Sequence, residues 1–388
     1  MTAERRRSTG QWVETRPGGE RVRAFIPAQL PPLPAIELTG PRQRLLERAT
    51  LALGRLDSVA TLLPDPHLFL YTYVRREAVL SSQIEGTQSS LADLLLFEFE
   101  EVSGVPIDDV TEVSNYVRAL DHGVARLAEG FPLCGRLLRE MHVHLMAGAR
   151  GSHKQPGAFR TTQNWIGGTR PGNAHFVPPP PEAIPAAMAA LEQFLHHDES
   201  LPVLVKAALV HVQFETIHPF LDGNGRLGRL LIALVLHDQG LLGQPLLYLS
   251  LFLKRHRSQY YELLDRVRSE GDWESWLDFF LDGVAVTAQG AVETVGQLDR
   301  LFHEDAARVQ TLVRAAANTL RVHREFCRRP ALNHTALVEA TRLSFPTVAK
   351  AVDRLVALGI VREVTGNRRN RLFVYTRYLS IMDDAAEG

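Results

Sequence analysis

The spacing of apolar residues limits this chain's architecture more than any other feature. Leu45, Ala49, Ala52, Leu56, Val59 and Leu63 recur at steps of three and four, the period of one buried helix face. Tyr71, Val74 and Ala78 continue it in a helix expected to begin after Pro66 and run toward Glu85. The same period returns over 110–127, 135–146, 181–196, 202–216 and 226–239. It appears again from 292 to 320 through Val295, Leu298, Phe302, Ala306, Val309 and Val313. Such a chain is confined to mainly helical folds. One stretch breaks the rule. Between 161 and 181, Gly167, Gly168, Pro171 and Gly172 separate short extended pieces at 163–166 and 175–177, the pattern of a β-hairpin or flap. The prolines at 178–181 read as a stiff exit from it. Residues 1–41, with a proline-rich run at 27–34, read as an extended arm.

Charge divides the chain in two. Its 388 residues hold 43 Lys and Arg against 44 Asp and Glu, a net −1, which marks neither a basic nucleic-acid binder nor an acidic tail. From 321 to 379, however, twelve basic residues face four acidic ones, a surplus of +8 that leaves −9 on the rest. This basic stretch has its own pattern. A short helix over 334–343 precedes a second over 346–358, with Val348, Val352, Leu355, Val356 and Leu358 on its buried face. Two strands, 360–364 and 372–375, follow, joined by a turn carrying Arg368, Arg369 and Arg371. Helix, turn, helix and basic hairpin describe a winged helix-turn-helix with 346–358 as recognition helix, so DNA is an expected partner through 321–379.

The apolar patterns set the remaining boundaries: 42–135 an N-terminal helical region, 136–290 a central helical core that holds the flap, 291–320 a linker helix and 321–388 the winged helix. The linker helix could join two copies into a homodimer or pack within its own chain, and both stay open. Cys134 and Cys327 belong to no CxxC or Cys/His cluster, which argues against a disulfide framework or structural zinc. His142 and His144, two apart on a helix, do not form a metal pair. The arginine-rich start lacks the apolar core of a signal peptide, and no apolar run is long enough for a membrane. The expected location is cytoplasmic.

The densest polar sequence in an apolar setting is His218-Pro219-Phe220-Leu221-Asp222-Gly223-Asn224-Gly225-Arg226-Leu227-Gly228-Arg229. Gly223 and Gly225 permit positive φ and close approach of an anion, and Arg226 opens a helix whose free N–H groups favour phosphate. Arg226 and Arg229 project from one side of the first turn, where they can hold separate phosphates. Asp222 is a hard oxygen ligand suited to Mg2+. His218 titrates near neutrality, which makes it the candidate general base.

As a unit, this segment matches the signature HPFxDGNGRxGR at every fixed position, and the chain resembles Fic proteins. The likeness extends over approximately 71–283, through Pro156-Gly157-Ala158-Phe159-Arg160, Asn164-Trp165-Ile166-Gly167, Tyr260-Tyr261 and Gly271-Asp272-Trp273. It implies an all-α fold with a β-hairpin flap and the transfer of AMP from ATP to a Ser, Thr or Tyr hydroxyl of a target protein. By that resemblance His218 takes the hydroxyl proton and Asp222 holds Mg2+. Gly223, Asn224 and Gly225 form the anion hole, within a nucleotide-binding run that includes Leu227 and Gly228. Arg226 meets the β-phosphate and Arg229 the γ-phosphate. Asn164, Ile166 and Gly167 dock the target segment, and Tyr261 contacts adenine, although a helical tyrosine more often packs.

The resemblance also assigns Ser81-Ser82-Gln83-Ile84-Glu85-Gly86, which fits the family's inhibitory pattern [S/T]xxxE[G/N]. On its own Glu85 reads as a solvated helix-end carboxylate. Beside a complete motif it is expected to pair with Arg229 and block productive ATP binding, with Ser81 steadying the helix and Gly86 ending it. In some relatives the same glutamate supports AMP removal, so a bifunctional enzyme is one alternative. A nucleotide-sensing, DNA-binding regulator is another, although a pure sensor has no need of His218. UMP or phosphocholine transfer fits the intact Gly-Asn-Gly-Arg loop less well.

Overall fold

A computed structural model describes residues 9–62, 67–98, 107–198, 200–366 and 371–387. Helices dominate, as the apolar period requires. In chain order the elements are β1 (Gly10–Thr15), β2 (Val22–Pro27), α1 (Pro41–Leu62), α2 (His67–Ile84), α3 (Leu91–Phe97), α4 (Ile107–Ala128), α5 (Gly135–Leu145), α6 (Ile184–His197), α7 (Val203–Ile217) and α8 (Asn224–Asp238). They continue with α9 (Ser250–Arg255), α10 (Arg257–Glu270), α11 (Trp273–Gln310), α12 (Ala316–Arg328), β3 (Ala331–Asn333), α13 (His334–Thr341), α14 (Phe345–Ala357), β4 (Arg362–Glu363), β5 (Leu372–Val374) and α15 (Thr376–Glu387). The centre is α7, buried on every side. It packs on α8, so the loop joining them, residues 218–223, is held at both ends by core helices.

Three expectations change. Residues 1–41 are not simply an extended arm, because β1 and β2 pair antiparallel from Gly10↔Pro27 to Thr15↔Val22. The Phe25 amide donates to the Val177 carbonyl at 2.9 Å, and Val22, Ala24 and Val177 share a small apolar cluster. The N-terminal hairpin therefore backs the exit of the flap. The flap itself has no regular strand pair; it closes through the single antiparallel bridge Ile166↔Phe176, because Gly167 and Gly168 at φ 70° and 68° turn the chain too early to extend it. Nor does a separate linker helix begin at 291. Helix α11 runs unbroken for 38 residues across that position, packing on α1 along its length, and ends before α12.

The C-terminal elements form a three-stranded antiparallel sheet in the order β3-β5-β4 beside α12, α13 and α14. Strand β3 and helix α15 carried no clear signal in the sequence. Arg368 and Arg369 lie outside the described residues. This module is fastened to α11 by a buried polar contact in which the Tyr375 hydroxyl donates to Asp305 Oδ2 at 2.7 Å. Asp305 has no exposed surface and also pairs with Arg308 and Arg377. Tyr375→Phe leaves that buried carboxylate one donor short and is expected to destabilise the protein by roughly 1–3 kcal/mol. A lowered denaturant midpoint in chemical unfolding checks this.

Candidate functional site

Helix α7 ends at His218, which adopts the left-handed conformation (φ 49°, ψ 60°) while its amide still bonds to the Phe214 carbonyl at 2.9 Å. That conformation is costly for a residue with a Cβ and persists only when its surroundings fix it. Arg160, almost fully buried, does so. Its Nε donates to the His218 carbonyl at 2.9 Å and its Nη2 to the Pro179 carbonyl at 2.6 Å and the Ile217 carbonyl at 3.4 Å. Burial, with Arg160 and Arg268 nearby, pushes the His218 imidazole down to about 4. At neutral pH the ring is therefore uncharged and able to accept a proton.

The loop beyond it is shaped from within. Asn224 accepts the Phe220 amide with Oδ1 at 2.9 Å and donates from Nδ2 to the Phe220 carbonyl at 2.8 Å, so its side chain closes the loop instead of reaching outward. Gly223 takes φ 75° as the cap of α8. Gly225, expected at positive φ, is an ordinary helical residue; its lack of a side chain matters for space, because a Cβ there would lie 2.3 Å from Glu85 Oε1. Leu227 is fully buried in the core. A Cβ on Gly228 would lie 2.3 Å from Glu215 Oε1. The side-chain positions of Leu227 and Gly228 thus serve packing, not a ligand.

The charged residues are already partnered. Arg229, 2 % exposed, donates from Nε to Ser81 Oγ at 2.8 Å, and from Nη2 to the Ser81 carbonyl at 3.0 Å and to Glu85 Oε1 at 2.7 Å. Burial alone would pull the Glu85 carboxyl up, but the Arg229 guanidinium holds it below its ordinary value. Gly86, at φ 105°, follows the end of α2. Arg226, equally buried, pairs with Glu112 of α4 at 3.1 Å, and Glu112 also meets Arg150 at 3.2 Å. Lys154 Nζ sits 2.9 Å from Asp222 Oδ2. Burial opposes the Asp222 charge, yet Lys154 and the Gly223 amide keep its carboxyl low.

Asn164 Nδ2 donates to the Phe220 carbonyl at 3.0 Å, and the Ile166 amide to the Phe176 carbonyl at 2.8 Å, so the flap lies against the loop. Tyr261 is 39 % exposed, with Arg257 over its ring at 5.7 Å.

Sequence reasoning missed several members. His142 stacks on Phe220 at 3.9 Å. Its Nδ1 accepts the Gly157 amide at 2.9 Å, which leaves Nε2 to donate to the Asp222 carbonyl at 3.0 Å. Arg160, Glu112 and Lys154 are likewise tied to motif residues far away in sequence.

Two family models match the chain: Fic/DOC family N-terminal over 43–125 and Fic/DOC family over 132–236, the second covering the whole loop and both arginines. This is a Fic/DOC family chain. It is 32 % identical over 206 residues, 51 % of its length, to the protein adenylyltransferase Fic of Drosophila grimshawi, and 30 % identical over 206 residues to that of Drosophila melanogaster. The chain spans about two fifths of the length of these curated relatives, 39 % and 38 % respectively. Among solved structures, a Fic family protein from Desulfovibrio desulfuricans G20 superposes with a TM-score of 0.56 at 21 % identity, covering 87 % of this chain and 96 % of that one. A Fic domain containing signaling protein from Bacteroides thetaiotaomicron VPI-5482 gives 0.52 at 20 % identity, over 64 % of this chain and 97 % of that one. These likenesses establish the helical Fic fold.

Behind the loop of this Fic chain, Glu215 is buried, and burial pushes its carboxyl up to about 7. A carboxyl raised in the folded state holds its proton more tightly there than in the unfolded chain. Its contribution to stability is full below the unfolded value near 4.5 and is lost as pH rises through about 7. Glu215→Gln removes this titration. Its unfolding free energy is expected to decline less between pH 4.5 and 7 than that of the parent, by on the order of 2 kcal/mol. Thermal melts across that pH range would reveal the difference.

Proposed function

We propose that this chain is a protein adenylyltransferase that transfers AMP from ATP to a Ser, Thr or Tyr hydroxyl of a target protein, and that Glu85 restrains it. The observation that carries the reading is an uncharged, half-buried histidine, its backbone tied down by Arg160, beside a helix N-terminus flanked by two buried arginines. His218 accepts the hydroxyl proton, the freed oxygen bonds to the α-phosphorus, and the bond to the β-phosphate oxygen breaks as pyrophosphate leaves. The N-terminus of α8 and Arg226 offset the charge that develops, the usual logic of transfer at phosphorus.

Asp222 suits a divalent cation, since its carboxylate, ionised and facing the loop, already attracts a cation in Lys154. Mg2+ held there would neutralise phosphate charge. The flap around Ile166 and Gly167 would dock an extended target segment, through Gly167 because the Ile166 amide and carbonyl are taken by the bridge to Phe176, with Asn164 anchoring the flap, and Tyr261 presents a ring to adenine. Glu85 occupies the Arg229 nitrogen that a γ-phosphate requires, so nucleotide binds without the alignment the reaction needs.

Glu85→Gly is expected to raise labelling of target or self by about tenfold or more, equivalent to at least ~1.4 kcal/mol of barrier. His218→Ala should lower it by roughly 10²–10⁴. Intact mass after incubation with Mg2+ and each of ATP, GTP, CTP and UTP reads both outcomes. A gain of one AMP only with ATP supports the reading, and no gain in the Glu85 variant refutes it.

The arrangement of α12–α14 with the β3-β5-β4 sheet favours a second component, a winged helix that contacts DNA. Its surplus of basic residues would make duplex retardation by the full chain weaken steeply with salt. Retardation that is insensitive to salt, or none at all, counts against it.

A further inference from the structure

A cavity of about 700 Å³ lies between α2, the 248–256 segment and α11, lined from α2 by Tyr73, Arg76, Glu77 and Leu80. Two of its lining groups are buried polar side chains with unmet hydrogen bonds. Arg76 is 7 % exposed, yet its Nε and Nη2 have no hydrogen-bond partner. The Tyr248 hydroxyl is buried without a partner as well. A buried guanidinium left this way carries a desolvation cost that an anion could offset, and the Tyr248 hydroxyl, from another wall of the same cavity, is a natural second donor. Burial pulls the Arg76 charge down, and Arg255 opposes it, while Tyr73, Asp383 and Glu77 favour it.

The walls supply an apolar body. The Tyr73 and Tyr248 rings pack 5.1 Å apart, and Phe252 adds a third ring. Arg255 adds positive charge, while Asp282 is bonded to Arg48 and Glu293 accepts from Gln289. Glu77 is pushed up by burial to about 7. With acids and bases nearly balanced around a single unmet guanidinium, the cavity suits one negative charge instead of a polyphosphate.

We propose that this cavity binds a small aromatic carboxylate, its charge held by Arg76 and Tyr248. The position gives the site a consequence that rests on the proposed restraint by Glu85. Arg76 and Glu77 lie on α2, one turn before Ser81. Glu77 ties that turn to Ser250, whose amide donates to it at 3.3 Å, and to the Tyr116 hydroxyl at 3.2 Å. A ligand seated here pushes on the helix that carries Ser81 and Glu85, and so alters the restraint.

The test uses the full chain, with benzoate as probe and neutral benzamide as comparator, followed by ligand-observed NMR. Benzoate should bind and benzamide should not, Arg76→Met should weaken benzoate at least tenfold, and Tyr248→Phe should weaken it severalfold. Unchanged melting of both variants would show that the fold is intact. Saturating ATP should not displace the probe. No binding of benzoate at millimolar concentration, equal binding of benzamide, unaltered affinity in Arg76→Met, or displacement by ATP would each overturn the site. Benzoate is further expected to change labelling by the parent chain but not by Glu85→Gly. If it binds yet leaves the parent rate untouched, the coupling is wrong. If Glu85→Gly labels nothing, the transferase reading fails while the binding result stands.

Discussion

A guanidinium buried inside a helical core carries a desolvation cost that acceptors offset, and Arg229 finds its acceptors on α2. Breaking a buried pair by removing one partner typically costs about 3–5 kcal/mol. The docking of α2 and the orientation of α8 are therefore one energetic unit, although α2 and the motif stand more than a hundred residues apart. The pairing is also divided in a useful way. Ser81 supplies both a hydroxyl and a carbonyl, and Glu85 supplies a carboxylate at the more exposed end. Losing the carboxylate leaves Arg229 still oriented by Ser81, so release of the glutamate need not disorder the site.

Holding and reacting meet at His218. Its ring has to be uncharged and its backbone has to turn, and Arg160 serves both. Burial first, then the charges of Arg160 and Arg268, keep the ring neutral, while Arg160 also gathers the carbonyls of His218, Ile217 and Pro179 around one planar group. Because Pro179 lies at the exit of the flap, a single side chain fixes His218 relative to the flap. His142 does the equivalent for Asp222 by bonding its carbonyl, not its carboxylate, which leaves the carboxylate oxygens available for cations.

The helical class and the placement of the motif between two helices were legible because both are local: a 3.6-residue period and a run of glycines and charges need no knowledge of partners. Much of what gives those residues their roles is not local. Nothing in the neighbourhood of Glu112, Lys154 or Arg160 says that each ends on a motif residue, since periodicity marks a buried face without naming what covers it. Gly225 shows how a correct residue can carry a wrong reason: the sequence suggested backbone freedom, while the structure requires an empty volume for Glu85. The β1–β2 pair escaped notice because β1 sets only Trp12 and Val13 among Gly10, Gln11, Glu14 and Thr15, so the apolar alternation that would mark a strand is weak there. The Glu85 pairing itself was available only through resemblance, because an isolated glutamate at a helix end reads as solvated.

One consequence of these pairings concerns how a nucleotide can enter at all. Asp222 faces Lys154, Arg226 faces Glu112 and Arg229 faces Glu85. A phosphate arriving at either arginine must therefore replace a carboxylate instead of filling an empty charge. Exchanging one charge-assisted bond for another of similar strength returns little net free energy, so binding to this site is controlled by which carboxylate yields. Glu112 is buried and further held by Arg150, whereas Glu85 is 37 % exposed and lies at the end of its helix. Of the two, Glu85 is the one that can move to water at small cost. If the site is restrained as proposed, electrostatics puts the distinction between a restrained and a competent state at Arg229 and not at Arg226.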